Sequence, residues 1–232
     1  MKTIVITGAL GNIGAKLCQH LGPQYRIVAL DQRDGSLDIR QPVSPLLFEG
    51  AEAVIHLAAA SSYEMDEVTV TDANVIGFDH VLDATTQAGI SRFVFASSNW
   101  VMAGYRHKEG LISEDMPPRP VTPYGWSKLY GEQRLERWAS DGARTAVSFR
   151  IGALPFRNGP GEAFAPDQVS PGWRDDPELF RWIREMWVSD EDACAAFSGA
   201  LRFCVPGHHV ANLMSGVAGC RWPLERRALF IG

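Results

Sequence analysis

The chain has 232 residues, 46% hydrophobic and 21% charged, a globular composition with room for one large domain or two modest ones. A net charge of −5 gives no sign of a nucleic-acid or membrane-surface partner, and no apolar run approaches the roughly 20 residues of a membrane span. Four scattered cysteines (Cys18, Cys194, Cys204, Cys220) without a CxxC pair read as reduced thiols of a cytoplasmic protein, and no metal site is expected.

The N-terminal MKTIVITGALGNIG is broken by Thr and Gly and reads as neither a secretory signal nor a transit peptide. TIVIT (3–7) is a buried-strand run, and NIGAKLCQHLG follows with helical spacing. YRIVALD (25–31) and AVIHLAA (53–59) are the next strands. TVTDANVIGFDHVLDATTQAG (69–89) predicts one long helix stopped by glycine, and RFVFASS (92–98) a fourth strand. A helix over VTPYGWSKLYGEQRLERWAS and a fifth strand, TAVSFRIG (145–152), complete the alternation. Strands alternating with helices indicate an α/β, Rossmann-type, doubly wound parallel sheet. Residues 1–152 form the dinucleotide-binding core. Residues 153–232 form a small substrate-binding C-terminal portion packed on the same domain, opened by a Pro- and Gly-rich segment long enough to be a lid. PELFRWIREMW and DEDACAAFSGALRFC read as two helices, and PGHHVAN, with His208 and His209, as a turn rather than a metal clamp. The final RRALFIG ends in an apolar stretch and reads as one that continues.

TGALGNIG (7–14) joins the first strand to the first helix. Gly8 permits a tight turn, Gly11 clears space for a pyrophosphate, and Gly14 allows helix–strand packing. With Leu10, Asn12 and Ile13 the turn offers helix N–H groups to phosphates. Asp31, ending the second strand, would accept hydrogen bonds from the ribose hydroxyls of NAD and repel a 2′-phosphate, whereas Arg33 would tolerate one; NAD is the expected cofactor. Asp38 and Ile39 would hold the adenine, or simply make a surface turn.

Tyr124 and Lys128 lie four apart and share one helix face. A cation within about 4–6 Å lowers a phenol pKa by roughly 1–3 units, so Tyr124 would take a proton from an alcohol as hydride leaves its carbon. Ser98, at the carboxyl end of the fourth strand, would hold the reacting oxygen.

These pieces, with HLAA (56–59), Asn74 in DANVIG and FASSN (95–99), resemble the extended short-chain dehydrogenase/reductase family over residues 1–152. The resemblance implies Ser98, Tyr124 and Lys128 as the catalytic trio and Asn74 as orderer of the proton relay. It also implies that Lys128 binds the nicotinamide ribose and that Leu57, Ala58 and Ala59 line the cofactor. Within the family, ASSN, YGWSKLYGE, FRIGA and MWVSDED resemble the uronate dehydrogenases, which oxidise C1 of a hexuronate to a lactone. That likeness implies Ser61 and Asn99 at the sugar and Arg181 or Arg184 on its carboxylate. Trp100 and Ala153 replace a histidine and a serine of that group, which puts a simple hexuronate in doubt. Trp100 would stack on a sugar ring or aromatic alcohol, or else be packing. His56 reads as packed beneath the cofactor. Trp173, Trp182 and Trp187 read as a pocket wall, a subunit contact or core. A homodimer through the helices flanking YGWSK is compatible with the resemblance. The rival readings are a nucleotide-sugar epimerase or dehydratase and a non-catalytic NAD-binding protein. The first is disfavoured by the 80 residues left after Gly152 and by the lack of an acid–base pair in SSNWVM. The intact Ser98–Tyr124–Lys128 set speaks against the second.

Overall fold

Short runs of β-branched and aliphatic residues, each followed by a turn and a helix, give the computed structural model its sheet; residues 1–154 and 175–231 are described. The strands are β1 (Thr3–Thr7), β2 (Arg26–Leu30), β3 (Ala53–His56), β4 (Arg92–Ser98), β5 (Thr145–Ile151) and β6 (Gly207–Leu213). They lie in the order β2-β1-β3-β4-β5-β6, and every pairing is parallel. Chain order reverses between β1 and β3. Such a switch point opens a crevice at the carboxyl ends of the strands, where open α/β sheets bind ligands.

Successive strand residues point to opposite faces, and both faces are buried. On one, Ile4, Ile6, Ile55, Val94 and Phe149 meet helix α1 (Asn12–Leu21) and helix α6 (Asp190–Arg202). On the other, Val5, Val54, Phe93 and Phe95 meet helix α3 (Gly77–Gln87) and helix α4 (Pro123–Trp138). A third cluster joins Trp100, Met102 and Tyr105 to Leu179, Trp182 and Ile183 of helix α5 (Pro177–Glu185), beyond the sheet's carboxyl edge.

Two elements differ from the sequence reading. The single helix expected over 69–89 is a short helix α2 (Glu67–Val70), a π-helical turn (Thr71–Ile76) and then α3. PGHHVAN is not a turn: from Gly207 (φ +106°) onward it pairs with β5. His208 suits a strand because its Nε2 lies 2.8 Å from Ser148 Oγ on that neighbour. Trp182 and Trp187 are buried core, and Trp182 meets Trp222 edge-on at 5.0 Å. Trp173 and most of the segment read as a lid lie outside the described residues. Among the described residues no helix is long and apolar enough to cross a membrane.

Candidate active site

The glycine turn is shaped by close backbone approach. Gly8 has φ +72°, and a Cβ there would come within 2.6 Å of the Ala58 backbone nitrogen. A Cβ on Gly14 would sit 2.2 Å from the Gly8 carbonyl oxygen. Gly11 starts α1 without a side-chain cap, and the helix start borders a cavity of about 720 Å³. Gly8, Gly11, Asn12, Ile13 and Gly14 line it from β1, and Leu57, Ala58 and Ala59 from beyond β3. Leu10 does not. Its side chain is exposed, and its backbone N–H donates to Asp31 Oδ2 at 2.9 Å. Asp31 Oδ1 accepts from the Arg33 N–H, also at 2.9 Å, so the carboxylate is fixed at the end of β2. Asp38 and Ile39 line the same cavity. The neighbouring Arg40 forks onto Asp38 at 2.7 and 2.9 Å and holds its carboxyl below the usual range.

Helix α4 carries the tyrosine and the lysine. Thr122 caps it, accepting from the Gly125 N–H at 3.1 Å, and Pro123 starts its first turn. Tyr124 and Lys128 then share a face, the lysine Nζ lying 5.5 Å from the tyrosine ring centroid and 4.9 Å from that of Phe95. Lys128 is 3% exposed. Burial lowers its pKa to about 7 and raises that of Tyr124 to about 12, against a hydrogen bond to Ser98 that pulls the phenol down. Burial thus outweighs the Ser98 hydrogen bond, and the phenol lies above its ordinary value rather than below it. Ser98 ends β4, where its Oγ accepts from the Trp100 N–H at 3.2 Å.

Asn74 is brought close but lines neither cavity. From the π turn its amide accepts from the Ala60 N–H at 2.7 Å and donates to Ala60 O and Ser127 Oγ at 3.0 Å each. Ser127 Oγ in turn donates to the Tyr124 carbonyl at 2.8 Å. Asn74 thus ties the loop after β3 to the turn that carries the tyrosine. Glu132, one turn beyond Lys128, takes the guanidinium of Arg150 at 2.8 and 3.0 Å and the Ser97 hydroxyl at 2.6 Å, all buried.

A second cavity, of about 250 Å³, adjoins the first and shares Ser61, Ser98, Tyr124 and Gly152 with it. Asn99, Trp100 and Ala153 line it, as do Tyr63, Glu64, Ile183 and Met186, which sequence reasoning did not single out. Trp100 is both wall and packing: its ring stacks on Tyr63 with centroids 4.3 Å apart and planes 14° apart. Asn99 Nδ2 contacts the Met186 sulfur. Arg181 and Arg184 line neither cavity. Arg181 lies 3.6 Å from Glu185, and the Arg184 guanidinium sits over Phe180. Met186, buried beside Ile183, occupies the pocket side of this stretch, so the two arginines turn away.

The profile of the NAD dependent epimerase/dehydratase family matches residues 4–174. The chain belongs to this family. It is an NAD-dependent oxidoreductase of the extended short-chain dehydrogenase/reductase type, similar within it to the uronate dehydrogenases. An L-arabinose 1-dehydrogenase (NAD(P)(+)) of Haloferax volcanii is 28% identical over 93% of this chain and 89% of its own length. A uronate dehydrogenase of Pseudomonas putida is 30% identical over 65% of this chain; that match spans 60% of the relative's length. Among solved structures, a short-chain dehydrogenase/reductase superfamily protein from Agrobacterium tumefaciens with bound NAD has a TM-score of 0.74 and 25% identity, covering 92% of this chain and 77% of that one. A uronate dehydrogenase from Agrobacterium tumefaciens shares the fold, with a TM-score of 0.75 at 20% identity, over 99% of this chain and 83% of its own.

The residues present fit the family's dinucleotide. A Cβ at Gly8 would close the approach to Ala58, and the first cavity lies within the roughly 300–1,000 Å³ of small-molecule sites. The start of α1 suits phosphates, and Asp31, held at the cavity wall, suits ribose hydroxyls.

Proposed function

We propose that this enzyme oxidises the C1 ring carbinol of a sugar or sugar acid to the lactone. The observation that carries the reading is that Ser98 and Tyr124 line both cavities. They stand where a substrate and a dinucleotide would share one boundary, with Lys128 on the dinucleotide side. The similarity to an arabinose dehydrogenase, to uronate dehydrogenases and to an NAD-dependent glucose-6-phosphate dehydrogenase of Haloferax volcanii supports the sugar. The smaller cavity supports a single ring, since 250 Å³ is below the range for drug-sized ligands and tight for a nucleotide diphosphate sugar.

Bound NAD supplies the hydride acceptor and a positive charge. Ser98 and Tyr124 hold the carbinol oxygen between two hydroxyls, and as the carbon is oxidised Tyr124 takes the carbinol proton while giving its own phenolic proton to the Lys128 amine. Lys128, with a pKa brought to about 7, changes protonation state at small cost near neutrality. It can therefore stabilise the phenolate as an ammonium or relay the proton as an amine. Asn74, through Ser127, keeps the tyrosine's turn in place.

The test is absorbance at the NADH band with a panel of aldoses, uronic acids and simple alcohols. Tyr124→Phe should lower kcat by about 10²–10⁴-fold, the range of general acid–base catalysis, while still binding NAD. Turnover of no sugar would overturn the proposal; isomerised product without NADH would replace it with an epimerase reading.

A further inference from the structure

We infer that the substrate cavity selects an uncharged sugar over a uronate, with Glu64 as the specificity-determining residue. The inference rests on the sugar-oxidation reading above and narrows its substrate class.

Glu64 is the only charged side chain among the described residues lining the smaller cavity. At the exposed rim of that cavity its Oε1 accepts from the Tyr63 hydroxyl at 3.0 Å, and the Tyr63 ring is stacked on Trp100. Burial and Glu64 push the Tyr63 phenol up, and Asp176, which caps the start of α5 through the Glu178 and Leu179 N–H groups, adds a smaller push. The charge on this wall is therefore negative, with Glu64 its main source. Among the described residues, the nearby arginines of α5 and Arg221 are engaged elsewhere. Arg181 and Arg221 both lie on Glu185, and Arg184 lies over Phe180.

An ionised carboxylate only accepts hydrogen bonds. Glu64 can thus take a sugar hydroxyl but has nothing to offer a second carboxylate, which it repels. Ser61 and Ser62 supply hydroxyls that both donate and accept, suited to the remaining hydroxyls of a neutral ring. The apolar wall of Trp100, Ala153, Ile183 and Met186 asks for C–H surface rather than charge. Like-charge juxtaposition is a recognised device for rejecting the wrong ligand.

The experiment compares D-glucose with D-glucuronate and D-galactose with D-galacturonate, pairs that differ only at C6. Turnover is measured with wild type and Glu64→Gln. Binding is measured by calorimetric titration of each sugar into NAD-loaded Tyr124→Phe, with and without Glu64→Gln, so that discrimination is read without turnover. The neutral member of each pair should be preferred by about tenfold or more in kcat/KM and in Kd. Glu64→Gln should raise kcat/KM and lower Kd for the uronate by about that factor and leave the neutral values within a few-fold. Equal or better use of the uronate by wild type, or a ratio unmoved by Glu64→Gln, overturns the inference and leaves sugar oxidation standing. Discriminating binding without turnover of any sugar by wild type overturns the oxidation reading and supports the selectivity. Binding of neither sugar overturns both.

Discussion

His56 ends β3 with its ring among Phe78, Phe93 and Phe95, at centroid distances of 5.5, 5.9 and 5.9 Å, and its Nδ1 lies 2.7 Å from Thr7 Oγ1. Burial holds its pKa down to about 3, against 6.5 for a free imidazole. Between those values the unfolded chain binds a proton that the folded chain refuses, so stability falls as pH drops through the window. His56→Phe removes the titration and loses the Thr7 bond, worth about 1 kcal/mol. The variant should be less stable than wild type at pH 7, and the gap should close or reverse by pH 4.5 in urea unfolding; an unchanged gap would mean that His56 is not held neutral. The burial of His56 was legible in sequence because it belongs to HLAA, where it reads as packed rather than catalytic. Gly8, Asp31, Ser98, Tyr124 and Lys128 were legible because dinucleotide and proton-transfer chemistry demand those residue types at the ends of particular strands. Tyr63 and Glu64 were not. They sit in SSYEMD, a loop with no period, and a tertiary contact, the stack of Tyr63 on Trp100, accompanies their place at the cavity.

Helix α4 is registered on the sheet by one buried ion pair. Glu132 reaches from the helix to Arg150 on β5 and to Ser97 on β4, next to Ser98. Breaking such a pair strands a charge, at a cost of about 3–5 kcal/mol, whereas replacing both partners by apolar groups is often neutral. Arg150→Met should therefore lower stability by that amount, and Arg150→Met with Glu132→Leu should recover most of it, both measured by urea unfolding. If the double variant is as unstable as the single one, packing of the guanidinium stem rather than the stranded charge dominates. The same scale explains two misreadings. In α5, Leu179, Trp182, Ile183 and Met186 recur at i, i+3, i+4 and i+7, a stripe that turns Arg181 and Arg184 away from the cavity. Periodicity was the usable signal, and the expectation of a carboxylate clamp overrode it. The strand β6 hid behind Pro206–Gly207 and two histidines, residues of low strand propensity. What makes it a strand is the open edge of β5, a tertiary partner that no local pattern displays.

At the scale of the molecule, the C-terminal portion is welded to the nucleotide half rather than hung from it. β6 extends the same sheet, and Phe230 enters the core on the α1/α6 face, edge-on to Phe149 at 5.2 Å and to Phe203 at 4.9 Å. The smaller cavity draws walls from both portions, so its shape depends on that docking. Gly199 is where the docking can be tested. In a helix interior, glycine to alanine normally gains about 1 kcal/mol. Here a Cβ would come within 1.7 Å of the Phe230 carbonyl oxygen, a backbone atom that moves only if the whole terminal segment moves. Lifting Phe230, which is 2% exposed, forfeits about 1.5–3 kcal/mol of burial, more than the helix gains. Gly199→Ala should therefore destabilise the protein by about 1 kcal/mol or more in urea unfolding. In a Phe230→Ala background the same change should cost clearly less, because the displaced segment no longer carries the ring out of the core. A stabilising Gly199→Ala, or costs that simply add, would mean that the segment around Phe230 does not hold this site against the helix.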